Sequence, residues 1–153
     1  MLNSSRLFLE DLAPGQRLES KSSYTLTEQE IRAFAQQFDP QPFHTDPASA
    51  RGTFFGELVA SGWHTAAVTM RLLATDALPL AEGIIGLGGE INWPKPARPG
   101  DILRVVCEVL EITPSRSRGD RGLAKIRCST LNQRDETVQR LLANLLVFRR
   151  PAG

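Results

Sequence analysis

The sequence predicts an α+β fold built on an antiparallel sheet, and three observations predict it. Two-residue alternation opens the chain, and apolar residues at helical spacing fill the stretch from 27 to 75. Four long strand-like segments separated by short polar turns then occupy the remainder. Consecutive strands joined by such turns pair antiparallel, and a strand, a helical middle and a run of strands is an α+β order. The 153 residues suit one domain, with a core from about 16 to 148.

Each element has its own justification. Leu12-Ala13-Pro14-Gly15 reads as a turn. From Arg17, residues Leu18, Ser20, Ser22, Tyr24 and Leu26 alternate with Arg17, Glu19, Lys21 and Thr25, a half-buried strand. Thr27-Glu28-Gln29-Glu30 is a capping box, in which the Thr27 hydroxyl accepts the Glu30 amide and Glu30 reaches back. Ile31, Phe34, Ala35 and Phe38 continue it as an amphipathic helix, which stops at Asp39-Pro40-Gln41-Pro42 because proline disfavours helix at the residue before it. Asp46-Pro47 caps and starts a short second helix, ended by Gly52 or Gly56. A third helix runs from Ser61-Gly62 to about Thr75 with Trp63, Ala66, Ala67, Met70, Leu73 and Ala74, apolar enough for a sheet to wrap around. Strands follow at 84–93, 102–112, 123–132 and 137–148, with turns at 96–101, 118–122 and 132–136.

Composition excludes several function classes. Hydrophobic residues make up 41% and charged residues 23%, the values of a soluble globular domain. Eighteen basic against 17 acidic residues leave a net charge of +1, too little for a general attraction to nucleic acid or an anionic membrane. Cys107 and Cys128 lie 21 residues apart without metal or redox spacing and are expected as buried, reduced thiols. The N-terminal stretch to Asp11 has no apolar run long enough for a signal peptide, and no segment reaches the ~18 apolar residues of a membrane span. The expectation is a soluble, cytoplasmic protein without a membrane or nucleic-acid partner.

The chemistry is concentrated in Phe38-Asp39-Pro40-Gln41-Pro42-Phe43-His44-Thr45-Asp46. A carboxylate and an imidazole five residues apart flank two prolines, which restrict the backbone and hold the two groups at a fixed separation. One group can take a proton from water while the other orients or donates one. The same residues also fit a capping Asp and a hydrogen-bonded loop His. Downstream, the first amides of the helix at Ser61-Gly62 lack intrahelical partners, and such N–H groups can hold the oxygen of an enolate formed from a thioester. Asp39, His44 and Gly62 are therefore the candidate catalytic residues, and Gln41, Phe43, Ser61 and Trp63 beside them the candidate substrate-binding residues.

The segment resembles the hydratase-2 motif of MaoC-like dehydratases and (R)-specific enoyl-CoA hydratases, Asp-x-Asn-Pro-(Leu/Ile/Val)-His, written here Asp39-Pro40-Gln41-Pro42-Phe43-His44. Asp46, Ala48, Ala50, Phe55-Gly56, Ala60-Ser61-Gly62 and the Pro-Gly-Asp turn at 99–101 look like the family's pattern, in the right order from about residue 16 to 148. The resemblance implies a hot-dog fold, a curved antiparallel sheet wrapped around a central α-helix, assembled as a homodimer or larger homo-oligomer. It implies that water adds to C3 of a 2-enoyl-CoA thioester, or leaves a 3-hydroxyacyl-CoA. By it Asp39 and His44 hold and activate the water and return a proton to C2, and the Gly62 amide polarises the carbonyl. No metal or other cofactor is implied, coenzyme A being part of the substrate. The chain departs from the pattern at Gln41 (Asn in the family), Phe43 (a small aliphatic), Phe38 (often Gly) and Ser61 (often His), so the resemblance carries the reaction class and not the acyl group.

Other features read more plainly. His64 is expected as a hydrogen-bonded helix histidine rather than a second catalytic imidazole. Glycines 83, 86, 88 and 89 do not match a nucleotide loop, and as strand glycines they admit a close neighbour, the central helix or a pantetheine arm. Arg116, Arg118, Arg121 and Lys125 form a basic hairpin tip that suits either solvent or coenzyme A phosphates, as do Arg51 and Arg98. The last strand is apolar on both faces, and a second subunit is the natural cover for one of them. Two other functions suit the fold: an acyl-CoA thioesterase, and a non-catalytic acyl-CoA-binding module.

Overall fold

The structure, a computed structural model, describes residues 6–153, so the first five residues of the N-terminal stretch lie outside it. A 3-10 turn at Leu9–Asp11 precedes short strands β1 (Arg17–Glu19) and β2 (Tyr24–Thr25). Helices α1 (Glu28–Phe38), α2 (Pro42–Thr45), α3 (Pro47–Ala50) and α4 (Gly62–Leu72) follow, and α4 continues into a π-helical turn, Leu73–Ala77. Strands β3 (Ile85–Asn92), β4 (Ile102–Pro114), β5 (Arg121–Leu131) and β6 (Thr137–Phe148) complete the chain. The sheet is antiparallel throughout, in the order β1-β4-β5-β6-β3, with β2 also on β4. It wraps around α4, whose Val68 and Leu72 enter a core with Val105, Ile126, Val138 and Leu145, the hot-dog arrangement.

The alternation from Arg17 to Leu26 holds in its burial, but the strand is broken in two. Lys21 and Ser22 donate their N–H groups to the Asp76 carboxylate at 3.0 and 2.9 Å instead of to a neighbouring strand. The capping box is half formed. Thr27 accepts from the Glu30 N–H at 3.1 Å, whereas the Glu30 carboxylate accepts from the Tyr24 hydroxyl at 2.8 Å. Asp46 caps α3 as expected, accepting from the Ser49 N–H at 3.0 Å.

Two larger expectations need correction. Strand β3 does not pair with its sequence neighbour β4. It lies at the opposite edge of the sheet on β6, because the connection at 93–101 crosses over instead of turning back. The face of α4 also differs from the one read in sequence. His64, Thr65, Val68, Thr69 and Leu72 are buried, while Trp63 is 60% and Met70 44% exposed. Threonine can face the interior of a helix because its hydroxyl bonds the carbonyl one turn back, as Thr69 does to Thr65 at 2.8 Å. Of the residues that read as the apolar stripe, Trp63, Ala67, Met70 and Ala74 therefore lie on the outside of the single chain, and Leu73 is buried.

Of the strand glycines, Gly89 has a close neighbour, and it is neither the helix nor a ligand. A Cβ there would stand 1.9 Å from the Leu142 carbonyl oxygen of β6, at a register shift between Gly86 and Gly89. Cys107 and Cys128 lie opposite each other across β4 and β5, buried and reduced, with sulfurs 3.0 Å apart. Their hydrogen bond and burial push the Cys107 thiol well up from its ordinary range.

Candidate active site

Asp39 closes α1, its N–H donating to the Ala35 carbonyl at 2.8 Å. Sequence reading leaves 42–45 as loop, but Pro42 at the first position starts the single turn α2, since its fixed φ and missing N–H suit a helix start. That turn carries His44 inward, to 6% exposure. The Phe43 carbonyl accepts the Val59 N–H at 2.9 Å, and His44 Nδ1 lies 2.7 Å from the Val59 carbonyl. A carbonyl only accepts, so Nδ1 carries a proton, and in the neutral ring Nε2 is the bare nitrogen. Nε2 faces Asp39 Oδ2 at 3.5 Å.

The Asp39 carboxylate is held at both oxygens. Ser61 Oγ donates to Oδ2 at 2.6 Å and Gln41 Nε2 to Oδ1 at 2.5 Å. Gln41, one methylene longer than asparagine, thus reaches the Asp39 carboxylate directly. Ser61 has a second role, accepting the Trp63 N–H at 3.2 Å as the cap of α4. Partial burial pushes the Asp39 pKa up, but the hydrogen bonds from Ser61 and Gln41 and the nearby His44 outweigh it and hold the group below its usual 3.8. The carboxylate is thus ionised, and able to accept a proton, throughout the neutral and mildly acidic range. A native pKa below the unfolded value stabilises the fold above that unfolded value, and the stability is lost as pH falls through the native one. A carbon-13 titration of the Asp39 carboxyl should give a midpoint below 3.8.

His44 and Gly62 open on one pocket of about 420 Å³, whose walls include Phe43, Phe54, Phe55, Trp93 and Val138. Asp39 lies beside this lining, next to His44. The Gly62 N–H, at the first position of α4, has no acceptor among the described residues. Gly62 is also tightly covered: a Cβ would stand 2.5 Å from Trp93 Cε2 and 2.8 Å from Cδ2 and Cζ2. Rings step outward from His44 through Phe43 and Phe55 to Phe54, with centroids 4.6, 5.1 and 5.2 Å apart. Phe54 is 94% exposed at the mouth, and Lys95 there pairs with Glu136 at 2.6 Å.

The structure therefore brings Asp39, His44, Gln41 and Ser61 together and places Gly62 and Phe43 on the pocket. Trp63 stands outside it, its ring meeting Trp93 edge-on at 5.2 Å. His64 does not meet the expectation of a hydrogen-bonded helix histidine: its buried Nδ1 has no partner among the described residues, and its ring stacks on Phe34 at 4.7 Å. Burial lowers its pKa from 6.5, against the opposing charge of Glu30. The basic hairpin lies apart from the pocket lining, with Arg121 paired to Asp120, and Arg98 pairs with Glu57. No group of three or more His, Cys, Asp or Glu suited to a metal occurs among the described residues, and no helix there is long and apolar enough to cross a membrane. Trp93 and Val138 are site residues that sequence reading passed over. Trp93 reads only as the last residue of a strand, and Val138 as one more apolar strand position.

Comparisons with known proteins agree with the fold. The family model described as "MaoC like domain" matches residues 10–127. The chain is similar to a 3-hydroxybutyryl-CoA dehydratase of Methylorubrum extorquens, 32% identical over 133 residues, which cover 86% of this chain and 78% of that protein. Among solved structures it resembles a MaoC-like dehydratase from Rhodospirillum rubrum, with 58% identity and a TM-score of 0.93 over 95% of this chain and 99% of the other. The R-hydratase PhaJ1 of Pseudomonas aeruginosa shares 29% identity at a TM-score of 0.74, over 95% and 88% of the two chains.

Proposed function

The chain belongs to the MaoC-like family, and from that premise we propose that it is a hydro-lyase interconverting 2-enoyl-CoA and 3-hydroxyacyl-CoA thioesters by acid–base catalysis through Asp39 and His44. The observation that carries the proposal is His44 Nε2 3.5 Å from an ionised carboxylate, with His44 and Gly62 lining the same aromatic pocket. A water between Nε2 and Oδ2 is oriented by one and offers its proton to the other. As its oxygen bonds to C3, the C2=C3 electrons shift to C2 and the carbonyl, and the Gly62 N–H at the start of α4 holds the enolate oxygen. Collapse of the enolate takes a proton from the same Asp–His pair to C2, so one molecule of water is added and no net proton is consumed. Each step reverses for dehydration. The residues need no cofactor beyond the coenzyme A of the substrate.

The relatives named as a dehydratase and an R-hydratase support the reaction class. The expected result is loss of the conjugated enoyl absorbance when trans-2-enoyl-CoA thioesters are supplied. Release of free thiol from saturated acyl-CoA instead would make the protein a thioesterase, and binding without turnover a binding module.

The same reading includes a homo-oligomer. Trp63 and Met70 of α4 and Leu87 of edge strand β3 are large apolar side chains left 60, 44 and 56% exposed, and an unpaired strand edge is a ready site for a second copy. Sedimentation at micromolar concentration should give at least twice the mass of the 16.9 kDa chain. A monomer there would contradict it.

A further inference from the structure

The pocket that holds His44 and Gly62 ends inward on Thr65 and Val138, 2% and 1% exposed. Behind these two stand three side chains the reaction does not use. Gln139, Thr69 and Thr130 are 0, 1 and 0% exposed within an otherwise apolar interior, and they satisfy one another. Gln139 Nε2 donates to Thr69 Oγ1 at 3.1 Å, the Thr69 and Thr130 hydroxyls meet at 2.6 Å, and Thr69 donates to the Thr65 carbonyl at 2.8 Å. Gln139 Oε1 accepts the Trp93 Nε1–H at 3.0 Å, which ties the group to the pocket wall.

Their place next to the lining follows from the chain. Thr69 is one turn beyond Thr65 on α4. Neighbours on a strand ordinarily face opposite ways, but the register runs Thr130↔Gln139 and then Leu131↔Thr137. Val138 is thus the extra residue of a bulge, and both it and Gln139 are buried. On the far side lies a second, apolar cavity of about 300 Å³, lined in part by Leu73, Cys128 and Leu141. These are the next same-facing positions: Leu73 one turn after Thr69, Cys128 two residues before Thr130, and Leu141 two residues after Gln139. The polar trio is a partition between two cavities.

We infer that this partition limits the acyl group, so that the substrate is a short-chain thioester whose tail stops at Thr65 and Val138. The inference rests on the proposed hydration site. A longer chain would have to displace three mutually bonded polar groups in a dry, close-packed interior, where no other partner replaces the bonds they lose. Without the partition, the apolar cavity beyond would accept the tail.

The test is kcat/KM along trans-2-butenoyl-, hexenoyl-, octenoyl- and dodecenoyl-CoA. Wild type should lose on the order of 100-fold between the shorter and longer pairs. Gln139→Ala, which opens the partition, should raise the octenoyl-to-butenoyl ratio about 10-fold, whereas Gln139→Leu, which keeps the bulk, should not. Thr130→Ala, which leaves the bond to Trp93 in place, gives the same comparison if Gln139→Ala fails to fold. Equal use of butenoyl- and dodecenoyl-CoA by wild type overturns the inference. Binding of the saturated acyl-CoAs, read from tryptophan emission, separates the two readings. Tighter binding of butyryl- than dodecanoyl-CoA with no enoyl turnover would sink the hydration site and keep the partition. Turnover with no chain-length preference would do the reverse.

Discussion

Asp39→Asn should lower hydration of a trans-2-enoyl-CoA by about 10³-fold while leaving the fold and the thermal midpoint nearly unchanged. An amide does not accept the water proton at neutral pH, so the step that forms the C3–O bond loses its base. The structure also explains why the variant should fold. The Asn oxygen can accept from Gln41 Nε2 where Oδ1 does now, and its NH2 can donate to Ser61 Oγ, whose hydroxyl turns to accept. Steady-state kinetics beside circular dichroism checks both halves. Near-wild-type turnover in a folded Asp39→Asn protein would remove Asp39 from the mechanism.

Gly62→Ala should cost about 10²-fold in kcat/KM. The backbone N–H is still present in this variant, so the loss comes from position. The new methyl would stand 2.5 to 2.8 Å from three atoms of the Trp93 indole, and either the indole or the start of α4 has to move. Trp93 is not free to yield, because its Nε1–H is bound to the buried Gln139. Overpacking of this kind costs roughly 1–3 kcal/mol, so the urea midpoint should fall as well. Pairing Gly62→Ala with Trp93→Phe, a smaller ring, should restore part of the stability. Activity equal to wild type in the single variant would show that the carbonyl is polarised elsewhere.

The long strands were legible because each is a run of apolar and β-branched residues closed by Gly, Pro or Asn turns. Their ends agree with the structure to within about two residues for β3, β4, β5 and β6. The caps at Thr27 and Asp46 were legible for an equally local reason, a side-chain oxygen followed by a helical run. Sheet order was not, since nothing in a nine-residue turn says whether it reverses the chain or crosses over. The buried face of α4 was misread because Thr65 and Thr69 look polar in sequence, although their hydroxyls are satisfied within the helix and by Thr130 and Gln139. Hydrophobic periodicity cannot register a buried polar group whose partners lie 61 and 70 residues away.

At the candidate site, spacing suggests the Asp39–His44 pair and the family resemblance singles it out, while helix-start chemistry points to Ser61-Gly62. That Ser61 would grip the Asp39 carboxylate is not legible, because it depends on where the end of α1 meets the start of α4, 22 residues later. Trp93 carried no local signal at all. Its role comes from β3 lying at the far edge of the sheet, which is itself the topological feature that the turns did not encode.

The most direct measurement is the mass of the product formed from trans-2-butenoyl-CoA in oxygen-18 water, with wild type and Asp39→Asn side by side. Hydration through the Asp39–His44 pair gives a thioester heavier by one labelled water, with the coenzyme A bond intact, from wild type and not from the variant. Free coenzyme A with a labelled acid, or a thioester left unchanged by a folded wild-type protein, would contradict it.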